Sequence, residues 1–261
     1  MDGAGGRRTI GTPASRLAAG LCDAERRRRE GVAGCEIVEV DGLIVCVANV
    51  LAPEVNTVLV ERPPEDAAGA LALAEEILTS RGRPFGVHIE AGRDRSVDDA
   101  VRARRLRRLL EQAGMVAEIA TLPPEEAPDG VEIRRVVTPR DAAAFAAVDV
   151  AAFDDLPEVA ERFYAARLAG RPDVAAFVGY DDAGPIATAA AYLHAGTTGL
   201  LGVGVVPRAR RRGVGRAITV RAARAFPGAD LAWLQSTEMA RSLYEMLGFR
   251  AVSSWEVWIR D

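Results

Sequence analysis

The stretch Val205-Val206-Pro207-Arg208-Ala209-Arg210-Arg211-Arg212-Gly213-Val214-Gly215-Arg216 constrains this chain more than any other. It leaves an apolar strand, turns through arginines and glycines, and opens a helix. Glycines let the main chain curl so that successive N–H groups point into one concavity, and the helix start adds its positive dipole end. Phosphate needs donors arranged in that way, and side chains larger than glycine's would block its approach. The run is not a P-loop, because no Gly-Lys-Ser/Thr follows and the 261-residue chain contains no lysine. It is not a dinucleotide fingerprint either, since Arg210-x-x-Gly213-x-Gly215 lacks the first glycine of that motif. A solvated arginine turn has the same composition, so the downstream sequence decides.

Gly215 to Phe226 reads as a helix closed by Pro227-Gly228, Ala229 to Gln235 as a short buried strand, and Glu238 to Leu247 as a second helix. Gly248 follows, where a left-handed stop costs glycine little. Two motifs therefore stand in order: Arg210-x-x-Gly213-x-Gly215 and Leu243-Tyr244-Glu245-x-x-Gly248-Phe249. Together they resemble the GNAT superfamily of N-acetyltransferases, over Val131 to Asp261. The resemblance implies an α+β fold, with a central and mostly antiparallel sheet flanked by helices. It implies acetyl-CoA as co-substrate and an amine, on a small molecule or a peptide, as acceptor. The amides of Arg211, Arg212, Gly213, Val214, Gly215 and Arg216 would cradle the CoA pyrophosphate. The strand edge at Gly204, Val205 and Val206 would pair with the pantetheine arm and polarise the thioester carbonyl. Tyr244 falls where the family places the general acid that protonates the departing thiolate. Many members carry an asparagine at the position of Thr237. A hydroxyl there can cap the helix, but a carboxamide contact to CoA is lost or replaced.

Composition closes off other classes. Only His88 and His194 are present, so a histidine-rich metal site is not expected. Cys22, Cys35 and Cys46 form no Cys-x-x-Cys pair and read as thiols of a reducing compartment. The net charge of −4 and the scarce aromatics count against nucleic-acid binding through Arg208 to Arg216. The apolar run Leu43 to Ala52 is too short to cross a bilayer. Arg7 and Arg8 precede Leu17-Ala18-Ala19-Gly20-Leu21-Cys22, but Asp23-Ala24-Glu25 and four arginines follow at once, which is no signal peptide. Residues 1–30 read as a loose tail leading into a helix, and the expected location is the cytoplasm. Arg26 to Arg29 and Arg104 to Arg108 read as solvated helix faces.

The first half carries its own pattern. Cys35 to Val40 and Leu43 to Ala48 flank Asp41-Gly42 as a hairpin. Asn56 to Glu61 reads as a strand, Glu65 to Arg81 as a helix, Pro84 to Ile89 as a strand, Val97 to Ala113 as a helix and Met115 to Thr121 as a strand. The ending Leu109-Leu110-Glu111-Gln112-Ala113-Gly114 echoes Leu243-Tyr244-Glu245-Met246-Leu247-Gly248 after a similar order of elements. We therefore expect two related halves, a degenerate one at 31–127 and a catalytic one at 131–261. Glu61-Arg62-Pro63-Pro64-Glu65-Asp66 stands where the second half has its arginine-glycine loop, with prolines that lack amide donors and acids that repel pyrophosphate. Leu110 would stand where Tyr244 stands. The first half is then structural, covering sheet that the short tail Arg250 to Asp261 leaves bare.

In the second half, Glu132 to Val137 reads as a strand, and Pro139 to Phe153 and Pro157 to Leu168 as helices walling the acceptor site. Asp173 to Tyr180 and Ile186 to Leu193 form a hairpin, and Thr197 to Val206 feeds the loop. Asp154-Asp155 suits a cationic amine but is read as a helix-start cap in a solvated loop. His194 is read as an exposed turn residue. The strand Thr197 to Val206 contains no carboxylate, so no general base is named. A CoA-binding sensor or scaffold without catalysis is the rival reading, and a homodimer is left open.

Overall fold

The computed structural model describes residues 11–164, 168 and 170–260. Helix α1 (Pro13–Arg29) begins after Thr12, whose hydroxyl accepts from the Ser15 amide, with proline in its first turn. Then come β1 (Cys35–Val40), β2 (Leu43–Ala48), β3 (Thr57–Val60), α2 (Ala67–Thr79), β4 (Phe85–Glu90), α3 (Arg95–Arg102) and β5 (Arg107–Glu118). The second half runs β6 (Glu132–Arg135), α4 (Pro139–Phe153), α5 (Pro157–Val159) with a π-turn at Ala160–Tyr164, β7 (Val174–Asp181), β8 (Gly184–His194) and β9 (Thr197–Val205). It ends with α6 (Val214–Ala223), β10 (Leu231–Ser236), α7 (Glu238–Met246) and β11 (Arg250–Arg260). The expected helix Pro157 to Leu168 partly falls outside the described residues.

The described strands join one sheet, ordered β1-β2-β3-β4-β11-β5-β10-β9-β8-β7-β6. Only β3–β4 and β9–β10 are parallel. The series strand, strand, strand, helix, strand, helix, strand spans β1 to β5 and recurs from β7 to β11. In each series three strands meander antiparallel and the third runs parallel to the fourth. The last strands are exchanged between the halves: β5 lies against β10, β11 lies against β4, and β5 and β11 pair with each other. The first half therefore does not cover bare sheet from outside. It inserts a strand into the second half's sheet and receives one in return.

The expected helix from Val97 to Ala113 is not formed: α3 stops at Arg102, and 107–118 is a strand. The resemblance between Leu109 to Gly114 and Leu243 to Gly248 is a coincidence of letters. Leu110 pairs with Val257 in the sheet and is no counterpart of Tyr244. The duplication rests instead on the repeated order of elements.

Helices α6 and α7 cover one face of the second half's sheet, with Val214, Ile218, Tyr244 and Leu247 packed on Leu200 and Leu234. Helices α1 and α4 cover the other, and α1 straddles both halves. Its Leu17 and Leu21 pack in one cluster with Ile44 and Leu59 of the first half and Trp233 of the second. Each such leucine contributes roughly 1.5–3 kcal/mol. Glycine makes this approach possible: a Cβ on Gly20 would lie 2.7 Å from Trp233 Nε1. The arginines at its end are not a solvated face. Arg29 is buried, ion-paired with Glu25, and donates to the carbonyls of Glu54 and Val55. Arg104 to Arg108 lie on no helix; Arg107 and Arg108 belong to β5.

Candidate active site

Strands β9 and β10 pair only over Thr197–Leu200 and Leu231–Leu234. Beyond Leu200 the β9 edge toward β10 is left unpaired, while its other edge stays bonded to β8 through Val205. The divergence begins at a bulge: Thr188 pairs with Gly204 but Ala190 with Leu201, and Gly202 takes φ +60. The result is a cleft between two strands, with backbone polar groups of β9 facing into it.

The arginine-glycine loop lies at the end of that edge. After a 3₁₀ turn at Pro207–Ala209, Arg211 and Gly213 both adopt left-handed backbone, at φ 61 and φ 80. Helix α6 starts at Val214 with Gly213 as a cap that offers no side chain. The amides of Arg211 to Arg216 therefore donate to no acceptor among the described residues. A row of free amides at a helix start is an anion cradle. The arginines divide the work of holding it. Arg210 donates to the carbonyls of Val205 and Ala152, and Arg208 and Arg212 both reach Asp181. Arg211 and Arg216 are exposed and make no ion pair among the described residues.

The equivalent place in the first half is filled. Asp66 caps α2 by accepting from the Gly69 amide, and its own amide donates to Asp41. A carboxylate of the chain thus sits where an external anion would. The space lined by Val60, Pro63, Ile89, Glu90 and Val97 is only about 10 Å³.

Helix α7 lies beside the loop, and a Cβ on Gly215 would stand 3.3 Å from Leu243 Cδ2. Tyr244 is buried edge-on to Phe249, its ring centroid 6.0 Å away. Burial pushes its phenol up to about 12, so the O–H is retained throughout the neutral range. Thr237 sits at the helix cap position, but its hydroxyl makes no capping bond and the residue is exposed. Gly204 is constrained from the opposite side: a Cβ there would come 2.8 Å from the Phe153 ring, so glycine lets α4 lie on β9. Val205 pairs with Ala187, and the Val206 amide donates to Ile186.

Across β9 from this cleft, at the bulge, lies a cavity of about 160 Å³ lined by Arg28, Phe145, Asp149, Phe153, Asp155, Leu168, Tyr192 and Gly202, among others. Asp154 ends α4 in left-handed conformation and caps no helix start. Asp155 is half-buried and lines the cavity. His194 is not a free turn residue either; its Nδ1 lies 3.3 Å from Asp23 Oδ2. Asp149 carries no motif that marks it in the sequence. Its only signal was one acid within the apolar run Ala146-Ala147-Val148-Asp149-Val150-Ala151.

Residues 172–251 match the acetyltransferase (GNAT) domain model. No curated protein sequence matches the chain. Among solved structures, a GCN5-related N-acetyltransferase from Kribbella flavida superposes at TM-score 0.76 and 21% identity, over 96% of each chain. A GCN5-related N-acetyltransferase from Sphaerobacter thermophilus gives 0.65 at 19%, covering 95% of this chain and 91% of its own. A tandem GNAT protein from the clavulanic acid biosynthesis pathway gives 0.63 at 14%, covering 95% and 93%. The splayed strands, the uncapped helix start and the matched segment fall on the same residues. Residues 172–251 thus carry a GNAT acetyltransferase domain, and the chain as a whole shares the fold of the GCN5-related structures.

Proposed function

We propose that this protein transfers an acetyl group from acetyl-CoA to an amine. The observation that carries the reading is the row of free amides from Arg211 to Arg216 at the end of the unpaired β9 edge. The amides and the α6 dipole suit a pyrophosphate, and exposed Arg211 and Arg216 suit further phosphate oxygens. Backbone groups of Gly204 and Val205 suit a pantetheine arm laid along the strand as an added partner, whereas Val206 already gives its amide to Ile186 and its carbonyl to Ala209. Thr237, with its hydroxyl free of the helix, is available to the same ligand.

The chemistry needs no covalent enzyme intermediate. The amine nitrogen attacks the thioester carbon, the C–N bond forms, and the C–S bond breaks with its electron pair on sulfur. Tyr244, neutral across the working range, donates a hydrogen bond to that sulfur and supplies its proton. Its apolar surroundings strengthen the bond by excluding water. The first half contributes no second donor site, because Asp66 fills its helix start.

The test is a panel of amines offered with acetyl-CoA, following free thiol and acetylated product by mass spectrometry. Calorimetry should give one acetyl-CoA per chain. Tyr244→Phe should lower kcat by about a hundredfold while leaving acetyl-CoA affinity within a few fold, since only the hydroxyl is lost. Two equivalents bound, or an unchanged kcat in the variant, would refute the respective assignment.

A further inference from the structure

We propose that Asp149 and Asp155 form a proton-accepting carboxylate pair that binds the nitrogen of a compact primary amine in the cavity beside Gly202. The proposal rests on the acyl-transfer reading of the adjacent strand and names its acceptor class and its base. Asp149 projects from α4 and is 1% exposed, yet its Oδ2 meets no N–H or hydroxyl donor among the described residues, and the carboxyl bonds to Asp155 only when the pair holds a proton. Buried carboxylate oxygens are normally satisfied, so an orphan that lines a cavity is a vacancy for a donor. A Cβ on Gly202 would lie 3.4 Å from Asp149 Oδ1, which puts the carboxylate against the bulge where β9 turns from paired to open.

The surroundings define the ligand. Phe145, Phe153, Leu168 and Leu201 supply apolar wall, and Tyr192 of β8 is the one neutral polar group among the lining residues described. About 160 Å³ resembles the roughly 150 Å³ cavity known to admit benzene, which suits a ring or short chain beside the nitrogen. Charged groups facing the pair are Arg28 of α1, itself held by Glu25 at 2.7 Å, and Asp154 in the loop after α4. β9 adds none. Two carboxylates in one apolar pocket cannot both ionise easily, and burial with the Asp155 charge lifts Asp149 to about 7.

The proton balance follows. The amine enters as ammonium and gives one proton to the doubly ionised pair, which then holds it between two oxygens. The freed nitrogen attacks, Tyr244 gives its proton to the departing thiolate, and the second proton that the nitrogen must lose restores the Tyr244 phenol. The pair returns its proton to solvent.

The test uses benzylamine, 2-phenylethylamine and n-butylamine against phenylalanine and spermidine, on wild type, Asp149→Asn and Asp155→Asn. We expect the three compact amines to be acetylated well above the other two. In wild type, kcat/KM should rise with pH through about 7. Either asparagine should lower kcat/KM at pH 8 by about a hundredfold and shift the rise to lower pH, because the surviving carboxylate loses its charged neighbour. Carboxyl NMR of ¹³C-aspartate protein should show one titration step near 7 that vanishes in either variant, with acetyl-CoA affinity unchanged. Preference for spermidine or phenylalanine overturns the acceptor class. Unaltered pH profiles, or no titration near neutrality in wild type, overturn the pair. Absent acetyl-CoA binding would instead fault the underlying function, which the NMR titration does not depend on.

Discussion

At the scale of single residues, Asp149 sets stability against chemistry. Its carboxyl is lifted from an ordinary value of 3.8 to about 7 by burial and by Asp155. Between those values the unfolded chain has released the proton and the folded chain still holds it, so the native state loses stability as pH rises from about 4 to 7. Above 7 the loss is complete, on the order of a few kcal/mol. Asp149→Asn removes the group. Its melting temperature should match wild type near pH 4, exceed it progressively up to pH 7, and stay ahead at pH 8. At about 2–4 °C for each kcal/mol, several degrees are expected. A difference independent of pH in calorimetric scans would show that the carboxyl is not perturbed. Such a residue was not legible in the sequence. Tyr244 and the glycines stand in a local pattern, but Asp149 acquires meaning only when α4 is laid across the bulge at Gly202.

At the scale of elements, the starts of α2 and α6 are the same device with opposite outcomes. Asp66 satisfies its own helix start, whereas Gly213 leaves that of α6 open. Gly215→Asp should close it. An acid in the first turn stabilises a helix by about 0.3–1 kcal/mol, and the nearest obstacle to its Cβ is the mobile end of Leu243. The variant should therefore fold, with an unchanged circular dichroism spectrum, and lose acetyl-CoA affinity at least tenfold through repulsion. Retained affinity in calorimetry would remove the loop from the binding site. Elements whose hydrogen bonds close locally were legible. The Asp41-Gly42 hairpin, with both residues at positive φ, and α4, with its Thr138–Asp141 capping box, fall where the sequence put them. β5 was not. Its Arg107-Arg108-Leu109-Leu110-Glu111-Gln112 is composed of good helix formers, yet β11 claims that backbone, and β10 holds the rest of the strand from Ala113 to Glu118. Tertiary pairing overrode propensity there.

At the scale of the whole molecule, the exchange of β5 and β11 makes the two halves one folding unit. Neither strand order nor exchange leaves any mark on local sequence, since both depend on partners more than a hundred residues away. The exchange has a physical consequence. Without the first half, β10 exposes the edge from Leu231 to Ser236, and β11 loses both neighbours, β4 and β5. An apolar edge of that kind pairs with other chains. A fragment of residues 127–261 should therefore aggregate although it contains the whole matched domain. The connection from Pro124 to Ala127 is exposed, so a break there costs little in itself. Fragments 1–126 and 127–261 produced together should assemble as a soluble one-to-one complex, because each completes the other's sheet. Acetyl-CoA affinity should return with assembly, as the loop and α7 lie wholly in the second fragment but depend on β10 being held. Copurification and calorimetry read the outcome. A soluble second fragment that binds acetyl-CoA alone would mean that the exchanged strands are ornament on an independent domain, and that the first half earns its place at the cavity through Arg28 alone.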